Sequence, residues 1–364
     1  MIPILSLPLR QQKKDNMISF ECDYNNGAHP QVLKHLVETN QEPTLTYGFD
    51  CYSERAKEKI KALCETPEAD VFFLVGGTQT NATVIDGMLR RYEAVITVPT
   101  GHIAIHEAGA IEASGHKVIT IEQSEKLRAQ ALKDYMEWFV NDESRDHLAQ
   151  PGMVYISLPT EYGTLYTTGE IEAIESICHE YGLSLFIDGA RLGYALASSD
   201  EITLPWLARH CDAFYIGGTK VGALCGEAVV FPRGNSPRCF FSIIKQHGAL
   251  LAKGRLTGVQ FDALFSAAST NHHEPLYIAI SRHAIEMAHQ LKEILLNAGF
   301  KLFIDSPTNQ QFVVIDNEQV KELEQKVQFT HWGPYDEHHT ICRFVTSWAT
   351  TEHDLSVLKD LLGC

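Results

Sequence analysis

Three segments of the sequence place a residue capable of chemistry directly after an apolar run. Lys220 follows "AFYIGGT", Asp188 ends "LFID", and the glycine-rich turn of residues 76–79 follows "FFLV". Apolar runs of this length indicate buried strands, and ligands of α/β proteins gather at the carboxyl ends of such strands. We therefore expect the lysine, the carboxylate and the turn to lie along one edge of one sheet.

The turn of residues 76–79 ("GGTQ") has the properties of a phosphate-binding loop. Glycines let backbone N–H groups approach an anion, a helix after the turn offers unpaired N–H groups, and Thr78 adds a hydroxyl beside Gly77. The turn lacks the Lys-Ser/Thr of a P-loop and the G-x-G-x-x-G spacing of a dinucleotide fold. An ordinary strand-to-helix turn is the alternative interpretation.

Lys220 and Asp188 each have a simple interpretation and a chemical one. Because a buried unpaired ammonium is destabilising, Lys220 lies on an exposed loop or its amine is used chemically. Asp188 caps the next turn, or it pairs with a cation or a ligand, and Arg191 could meet it or a ligand anion. An amine, a carboxylate and phosphate donors are together what a phosphorylated pyridine aldehyde requires, since the amine forms a Schiff base and the carboxylate keeps the pyridine nitrogen protonated.

His102 follows the strand pattern "AVITVP" and is the candidate for a ring that stacks on a flat cofactor. Alone, a loop histidine is more often a solvated or hydrogen-bonded side chain. His106 competes with it for the same role.

The elements that position these residues come from apolar runs that alternate with helical patterns through residues 70–231. Such alternation is typical of a parallel or mixed sheet covered on both faces. We expect helices near residues 81–91 and 104–113. After about Leu256 a long helical pattern, shorter strands and a final helix predict a smaller α+β domain.

Composition narrows the class of protein. The net charge is −16 and the basic residues are scattered, which argues against nucleic acid or an anionic membrane as the main partner. No apolar run approaches the ~18 residues of a membrane span. The nine cysteines have no zinc-site spacing, so we predict free thiols, no metal site and a cytoplasmic protein. Residues 1–16 are predicted to be a disordered extension, or to precede a natural start at Met17.

In four motifs the chain resembles the β-eliminating lyase/threonine aldolase family, pyridoxal-phosphate (PLP) enzymes of the aspartate aminotransferase fold. "GGTQTNA" is similar to its phosphate loop, "GHIAIHEAGA" to the segment of the stacking histidine, "LFIDGARLGYA" to its D-G-A-R-L segment, and "GGTKVGALCGEAVVF" to its lysine segment. The likeness runs from about Ser19 to the end. It implies fold type I, an α/β large domain with a mostly parallel seven-stranded sheet and a smaller C-terminal α+β domain.

The resemblance also implies a domain organisation and an oligomeric state. We expect an N-terminal arm in residues 17–44, a PLP-binding domain in residues 45–265 and a small domain in residues 266–364. Because enzymes of this fold usually complete their sites across a two-fold interface, we expect a homodimer or homotetramer.

The resemblance implies a role for each candidate residue. Lys220 holds the cofactor and then acts as a base, while Asp188 pairs with the pyridine nitrogen and His102 stacks on the ring. The substrate carboxylate is assigned to Arg343 and Arg191, and Tyr162 lies near the substrate. The residues assigned to the cofactor phosphate and its surroundings are Gly77, Thr78, Gln79, Arg191, Thr219 and Arg255, the last from a neighbouring subunit.

The expected activity is cleavage of a β-hydroxy amino acid, such as L-threonine or L-allo-threonine, to glycine and an aldehyde. Three segments that touch substrate differ from the family pattern, at residues 21–23, 159–162 and 345–347. Another PLP activity, β-elimination or transamination, is therefore a second interpretation. A non-catalytic binding protein is the third. The base for the substrate hydroxyl is left open among His106, Glu161, Tyr162 and a water molecule.

Overall fold

A computed structural model describes residues 17–121, 124–269 and 272–364, so the extension predicted for residues 1–16 lies outside the described residues. The strands are β1 (Ile18–Ser19), β2 (Asp70–Leu74), β3 (Glu93–Thr97), β4 (Lys117–Thr120), β5 (Gln150–Ser157), β6 (Ser184–Asp188), β7 (Ala213–Gly217), β8 (Glu227–Phe231), β9 (Ala267–Ser269), β10 (His272–Pro275), β11 (Lys301–Ile304), β12 (Gln310–Asp316), β13 (Val327–Gln328), β14 (Thr330–Pro334) and β15 (His339–Val345).

The helices are α1 (Pro30–Thr39), α2 (Cys51–Cys64), α3 (Gly77–Met88), α4 (His102–Ile105), α5 (Ala110–Ala113), α6 (Ala129–Asn141), α7 (Thr168–Tyr181), α8 (Leu192–Ser198), α9 (Leu204–Arg209), α10 (Phe240–Gln246), α11 (Arg255–Leu264), α12 (Leu276–Asn297), α13 (Asn317–Leu323) and α14 (Glu352–Leu362), with a 3₁₀ turn at Arg145–His147. Of the helices in the described ranges, none is long and apolar enough to cross a membrane.

Within the described residues, seven strands form the main sheet in the order β2-β8-β7-β6-β5-β3-β4. Only β8 runs opposite to the rest, because it pairs antiparallel with both β2 and β7 while the remaining pairs are parallel. The predicted seven-stranded, mostly parallel sheet is confirmed. The carboxyl ends of β2, β3, β5, β6 and β7 therefore share one edge, where ligands of such sheets bind.

Both faces of this sheet are buried, which explains the continuous apolar runs of its strands. Leu185 and Ile187 of β6 pack into a core on one face, and Phe186 between them packs into a second core on the other face. The alternation follows from the two-residue period of a strand. Each strand is thereby packed on both faces, so the backbone at its carboxyl end is fixed and can position functional side chains.

A second antiparallel sheet in the C-terminal part has the order β11-β12-β15-β14. It packs on α12 and α14 around its own apolar cluster, which includes Leu291 and Phe344. The N-terminal strand β1 pairs with β13, and Phe20 and Val345 are joined by a backbone hydrogen bond of 2.8 Å. The expected small α+β domain is present, while the exact domain bounds stay a prediction.

Two helix predictions need correction. The helix predicted for residues 81–91 begins at Gly77, because the extended Gly76 turns the chain directly into its first turn. The single helix predicted for residues 104–113 is two short helices, α4 and α5. Ala108 and Gly109 between them have φ of 52° and 74°, and such left-handed backbone cannot continue a helix.

The packing of α11 on α2 depends on Gly258. A Cβ at this position would lie 2.1 Å from Ser53 Oγ and 2.7 Å from its backbone nitrogen. We expect Gly258→Ala to lower the free energy of unfolding by about 1–3 kcal/mol, the usual range for overpacking. Gly169→Ala is the matched control, because its Cβ would have nothing within 4 Å. Equal urea midpoints for the two variants would contradict this prediction.

Candidate active site

Lys220 lies just after β7, in a cleft that it shares with Gly77, His102, Asp188 and Arg191. The surrounding protein and the positive charge of Arg191 lower the pKa of the Lys220 amine. Opposing carboxylates only partly offset this effect. An amine with a lowered pKa is more often neutral and is therefore a better nucleophile and base.

Asp188 ends β6 and is buried at the floor of the cleft. Its oxygens accept hydrogen bonds from the hydroxyls of Tyr155 and Tyr215, from Asn81 Nδ2 (3.0 Å) and from Ala190 N (2.9 Å). Burial alone would raise the pKa of Asp188, but the charge of a nearby histidine and these hydrogen bonds lower it. The carboxylate therefore stays ionised, as pairing with a protonated ring nitrogen requires.

His102 begins α4, past the end of β3, and its ring is about one-third exposed to the cleft. Its Nδ1 lies 2.7 Å from Oε1 of Glu107, a fully buried carboxyl that also accepts from Asn81 Nδ2 at 2.7 Å. A second carboxyl, Glu161, accepts from the backbone nitrogen of His102 at 2.8 Å. These contacts fix the orientation of the ring.

The glycine-rich turn becomes the first turn of α3. No side chain caps this helix start in the described ranges, so the N–H groups of Gly77, Thr78 and Gln79 are available to an anion. A Cβ on Gly76 would meet nothing within 4 Å, which shows open space at the turn. The Gln79 side chain points elsewhere, because its Nε2 donates to the His247 carbonyl at 3.1 Å.

Thr219 precedes the lysine and lies against Glu227 at the start of β8. The Thr219 hydroxyl accepts from the Gly226 backbone at 3.1 Å and hydrogen-bonds Glu227, so it is engaged within the protein. Burial raises the pKa of Glu227 to about 8, although Thr219 and Lys220 oppose the shift. A carboxyl group that is mostly protonated at neutral pH thus lies under the lysine segment.

Arg191 is joined to the N-terminal segment by a two-pronged ion pair. Its Nε lies 2.7 Å and its Nη2 3.0 Å from the two oxygens of Asp23. The Asp23 side chain is fully buried and also accepts from Asn309 Nδ2 at 3.0 Å. Arg191, which lines the cleft, is therefore held in place by Asp23, and Asp23 is in turn held by Asn309.

Arg343 approaches from β15 of the second sheet. It donates to Gln310 Oε1 (3.1 Å) and Thr330 Oγ1 (3.3 Å), and its guanidinium lies 4.8 Å from the centre of the Trp332 ring. Burial and the charge of Arg191 lower its pKa to about 10. Its buried Nε has no partner among the described residues, which is unfavourable unless an acceptor such as a carboxylate binds there.

Two further candidates lie outside the cleft. The Tyr162 ring packs against Trp332 (5.5 Å between centroids) and Phe312 (5.8 Å), at the side of a neighbouring hollow. Arg255 begins α11 and donates to the backbone carbonyls of Thr39 and Glu42. The roles predicted for both residues stay predictions.

Several residues of the site were not predicted from the sequence. The buried groups that hold the predicted residues are Asp23, Asn81, Glu107, Tyr155, Tyr215 and Glu227. Two signals were available. Asn81, Glu107 and Glu227 lie within the motifs shared with the family, and a tyrosine inside an apolar strand has a hydroxyl that needs a partner when buried. Within the described ranges, no group of three His, Cys, Asp or Glu side chains is arranged to hold a metal ion.

The cleft fits PLP by the groups it offers. The available N–H groups of α3 suit a phosphate, and Asp188 in the same cleft suits a protonated pyridine nitrogen. The Lys220 amine suits an aldehyde, and the His102 ring suits a stacking contact. The cleft volume of about 390 Å³, which includes solvent at its mouth, is within the range of small-molecule sites.

The fold and the residues of this cleft define an enzyme of the aspartate aminotransferase fold, fold type I. The aspartate aminotransferase of Thermus thermophilus superimposes with a TM-score of 0.64 at 16% identity, over 95% of this chain and 90% of that one. The chain belongs to the beta-eliminating lyase family, whose sequence profile matches residues 29–329.

Two relatives are similar over almost their whole length. A solved structure of Leishmania major threonine aldolase is 39% identical, with a TM-score of 0.89 over 95% of this chain and 98% of that one. The low specificity L-threonine aldolase of Pseudomonas aeruginosa is 28% identical over 357 residues, which are 95% of this chain and 96% of the relative. The family resemblance inferred from the four motifs is confirmed.

Proposed function

We propose that this chain is a PLP-dependent carbon–carbon lyase of the threonine aldolase type. Its substrate is a β-hydroxy amino acid such as L-threonine or L-allo-threonine, and its products are glycine and an aldehyde. The proposal depends above all on one observation, the convergence of Lys220, Asp188 and Arg191 on one cleft. Arg343 lies near enough for the charge of Arg191 to lower its pKa. The threonine aldolases among its relatives support the choice of reaction.

PLP, when bound, supplies an aldehyde that joins the substrate amine and a protonated ring that stabilises negative charge on the substrate Cα. Asp188 keeps the ring nitrogen protonated, and the N–H groups at residues 77–79 hold the phosphate. His102 covers the ring and is fixed there by Glu107. Lys220 would hold the cofactor through its amine, and the lowered pKa of that amine would also let it carry protons.

Arg343 and Arg191 bind the substrate carboxylate. Arg343 offers its unpartnered Nε, and Arg191 is kept in position by Asp23. A carboxylate fixed in this way sets the rotation of the substrate about Cα. The two arginines would thereby select which bond of the substrate Cα is broken.

The proposal includes a cytoplasmic homodimer or homotetramer. Exposed apolar side chains support the assembly: Leu45, Phe49 and Phe241 are all exposed, and the ring centroids of Phe49 and Phe241 lie 5.6 Å apart. A second copy of the chain would remove these side chains from water. Arg255 lies on the same side, beside the backbone of residues 39 and 42, where it could serve a neighbouring site.

Product analysis tests the reaction. Purified protein is expected to carry the visible absorbance of bound PLP and to release glycine from L-threonine or L-allo-threonine. Pyruvate released from serine or cysteine, without glycine from threonine, would replace the aldolase assignment by β-elimination. A protein that takes up no PLP would contradict the cofactor assignment.

A further inference from the structure

The cleft contains several groups that could take a proton, and their contacts distinguish them. Glu161 is buried, and its Oε1 already accepts from His102 N (2.8 Å) and Ser157 Oγ (2.7 Å). Burial raises the pKa of this carboxyl. Glu161 therefore fixes the α4 turn, and its Oε1 is already occupied by two donors, so this oxygen is not free to accept a substrate proton.

Two tyrosines near the cleft are also unsuitable. The ring of Tyr162 is surrounded by aromatic side chains of the second sheet, and it lines the neighbouring hollow with Pro99 and Glu125. The Lys220 nitrogen lies 5.8 Å from the ring centre of Tyr24, whose pKa is raised by burial. A phenol with a raised pKa keeps its proton and does not act as a base.

His106, directly after α4, has a different environment. Its ring centroid lies 5.4 Å from that of His102 and 6.1 Å from that of Trp332, which in turn contacts Arg343. In the part of the chain that the structure describes, no group hydrogen-bonds the His106 ring nitrogens. His106 is thus located between the side chain that covers the cofactor and the side chain that binds the carboxylate.

This location matches that of the substrate side chain. The amino group of the substrate is drawn to the cofactor aldehyde, and its carboxylate to Arg343 and Arg191. The Cβ atom and its hydroxyl would then extend past His102 toward the His106 ring, whose centroid lies 5.4 Å from that of His102.

The electrostatic setting also suits a proton acceptor. Partial burial and the positive charges of His102, Arg343 and Lys220 lower the pKa of His106. His102 lies on the same segment as His106, Arg343 lies on β15 and Lys220 follows β7. The fourth neighbour, Trp332 on β14, carries no charge. The imidazole is consequently neutral at physiological pH and has a lone pair for a hydroxyl proton.

We propose that His106 is the catalytic base that removes the proton from the β-hydroxyl group of the substrate. A His106 ring nitrogen accepts this proton, and the O–H electron pair becomes the second bond of the aldehyde carbonyl. The Cα–Cβ bond breaks, and its electron pair stays on Cα, which later takes a proton to give glycine. The inference rests on the proposed function and names the group that it leaves open.

The test compares threonine cleavage, which requires removal of the hydroxyl proton, with hydrogen exchange at the glycine Cα, which does not. His106→Asn keeps a polar side chain but removes the base. We expect it to lower kcat for threonine cleavage by about 10²-fold or more, the usual contribution of a general base. The exchange of glycine Cα hydrogen for deuterium in D₂O, followed by NMR, is expected to stay within about threefold of wild type. Ile105→Ala, a neighbouring exposed position, is the control and leaves both rates unchanged.

A pH profile provides a second readout. In the wild type, kcat for cleavage is expected to fall as the pH drops below the lowered pKa of His106, because the protonated ring cannot accept a proton. His106→Asn is expected to lose this acidic limb.

Three results would overturn the inference. If the wild type cleaves threonine and His106→Asn cleaves it as fast, the inference fails while the proposed function stands. If His106→Asn loses cleavage and glycine exchange equally, its role is structural. If the wild type exchanges glycine hydrogen but cleaves no β-hydroxy amino acid, the proposed function and the inference fail together.

Discussion

Lys220→Ala is expected to abolish turnover almost completely, with kcat lower by about 10³-fold or more, because one substitution removes both the covalent attachment and the base. The lowered pKa of the amine and its place in the cleft are the reasons for this expectation. Steady-state release of glycine from L-threonine measures the loss. Borohydride treatment followed by mass spectrometry should fix cofactor to the wild-type chain and not to the variant.

Lys133→Ala on α6 is the control for this variant, because its side chain is partly exposed and is not among those that line the cleft. It should retain full activity and covalent attachment at Lys220. A Lys220→Ala protein that cleaves threonine at more than about a tenth of the wild-type rate would refute the role of the lysine.

Arg343→Gln is expected to lower kcat/KM for threonine by about 30- to 4,000-fold. The range corresponds to about 2–5 kcal/mol, the usual loss when one partner of a buried charge pair is removed. Glutamine can keep the contact with Gln310, but it has no positive charge and no counterpart of the unpartnered Nε. The visible absorbance of the cofactor should be retained, since Arg343 is assigned to the substrate alone.

Arg282→Gln is the matched control, since Arg282 is an exposed arginine with a two-pronged pair to Glu274. Exposed pairs of this kind contribute about 0–1 kcal/mol, so its kcat/KM should stay near that of wild type. Equal losses for amino acids and for the corresponding amines, which lack a carboxylate, would contradict the role of Arg343.

The sequence was most informative at the carboxyl ends of the strands. Lys220, Asp188 and His102 each follow an apolar run, and such runs mark buried strands whose ends share an edge when the sheet is parallel. The same reasoning located the turn at Gly77. In these cases the location of the residue follows from the pattern of the residues next to it in the sequence.

The supporting residues were missed because their roles depend on distant partners. Asp23 meets Arg191 across 168 positions of sequence and Asn309 across 286. Tyr155 and Tyr215 occur in runs that indicate core strands, and only the pairing of β5, β6 and β7 turns both hydroxyls toward Asp188. The break between α4 and α5 was missed because Ala108 is not a residue that usually adopts left-handed backbone.

The location of Asp23 has a consequence for the order in which the protein matures on the ribosome. The segment that carries it pairs with residues 327–328 and hydrogen-bonds Val345, which are synthesised long after Asp23 and Arg191. The large sheet can form while translation continues, since domains fold from the N-terminus as they emerge. Arg191, however, gains its partner in the native position only when residues 327–345 have also emerged. A nascent protein would therefore possess its lysine and its anion-binding turn well before it could position a substrate.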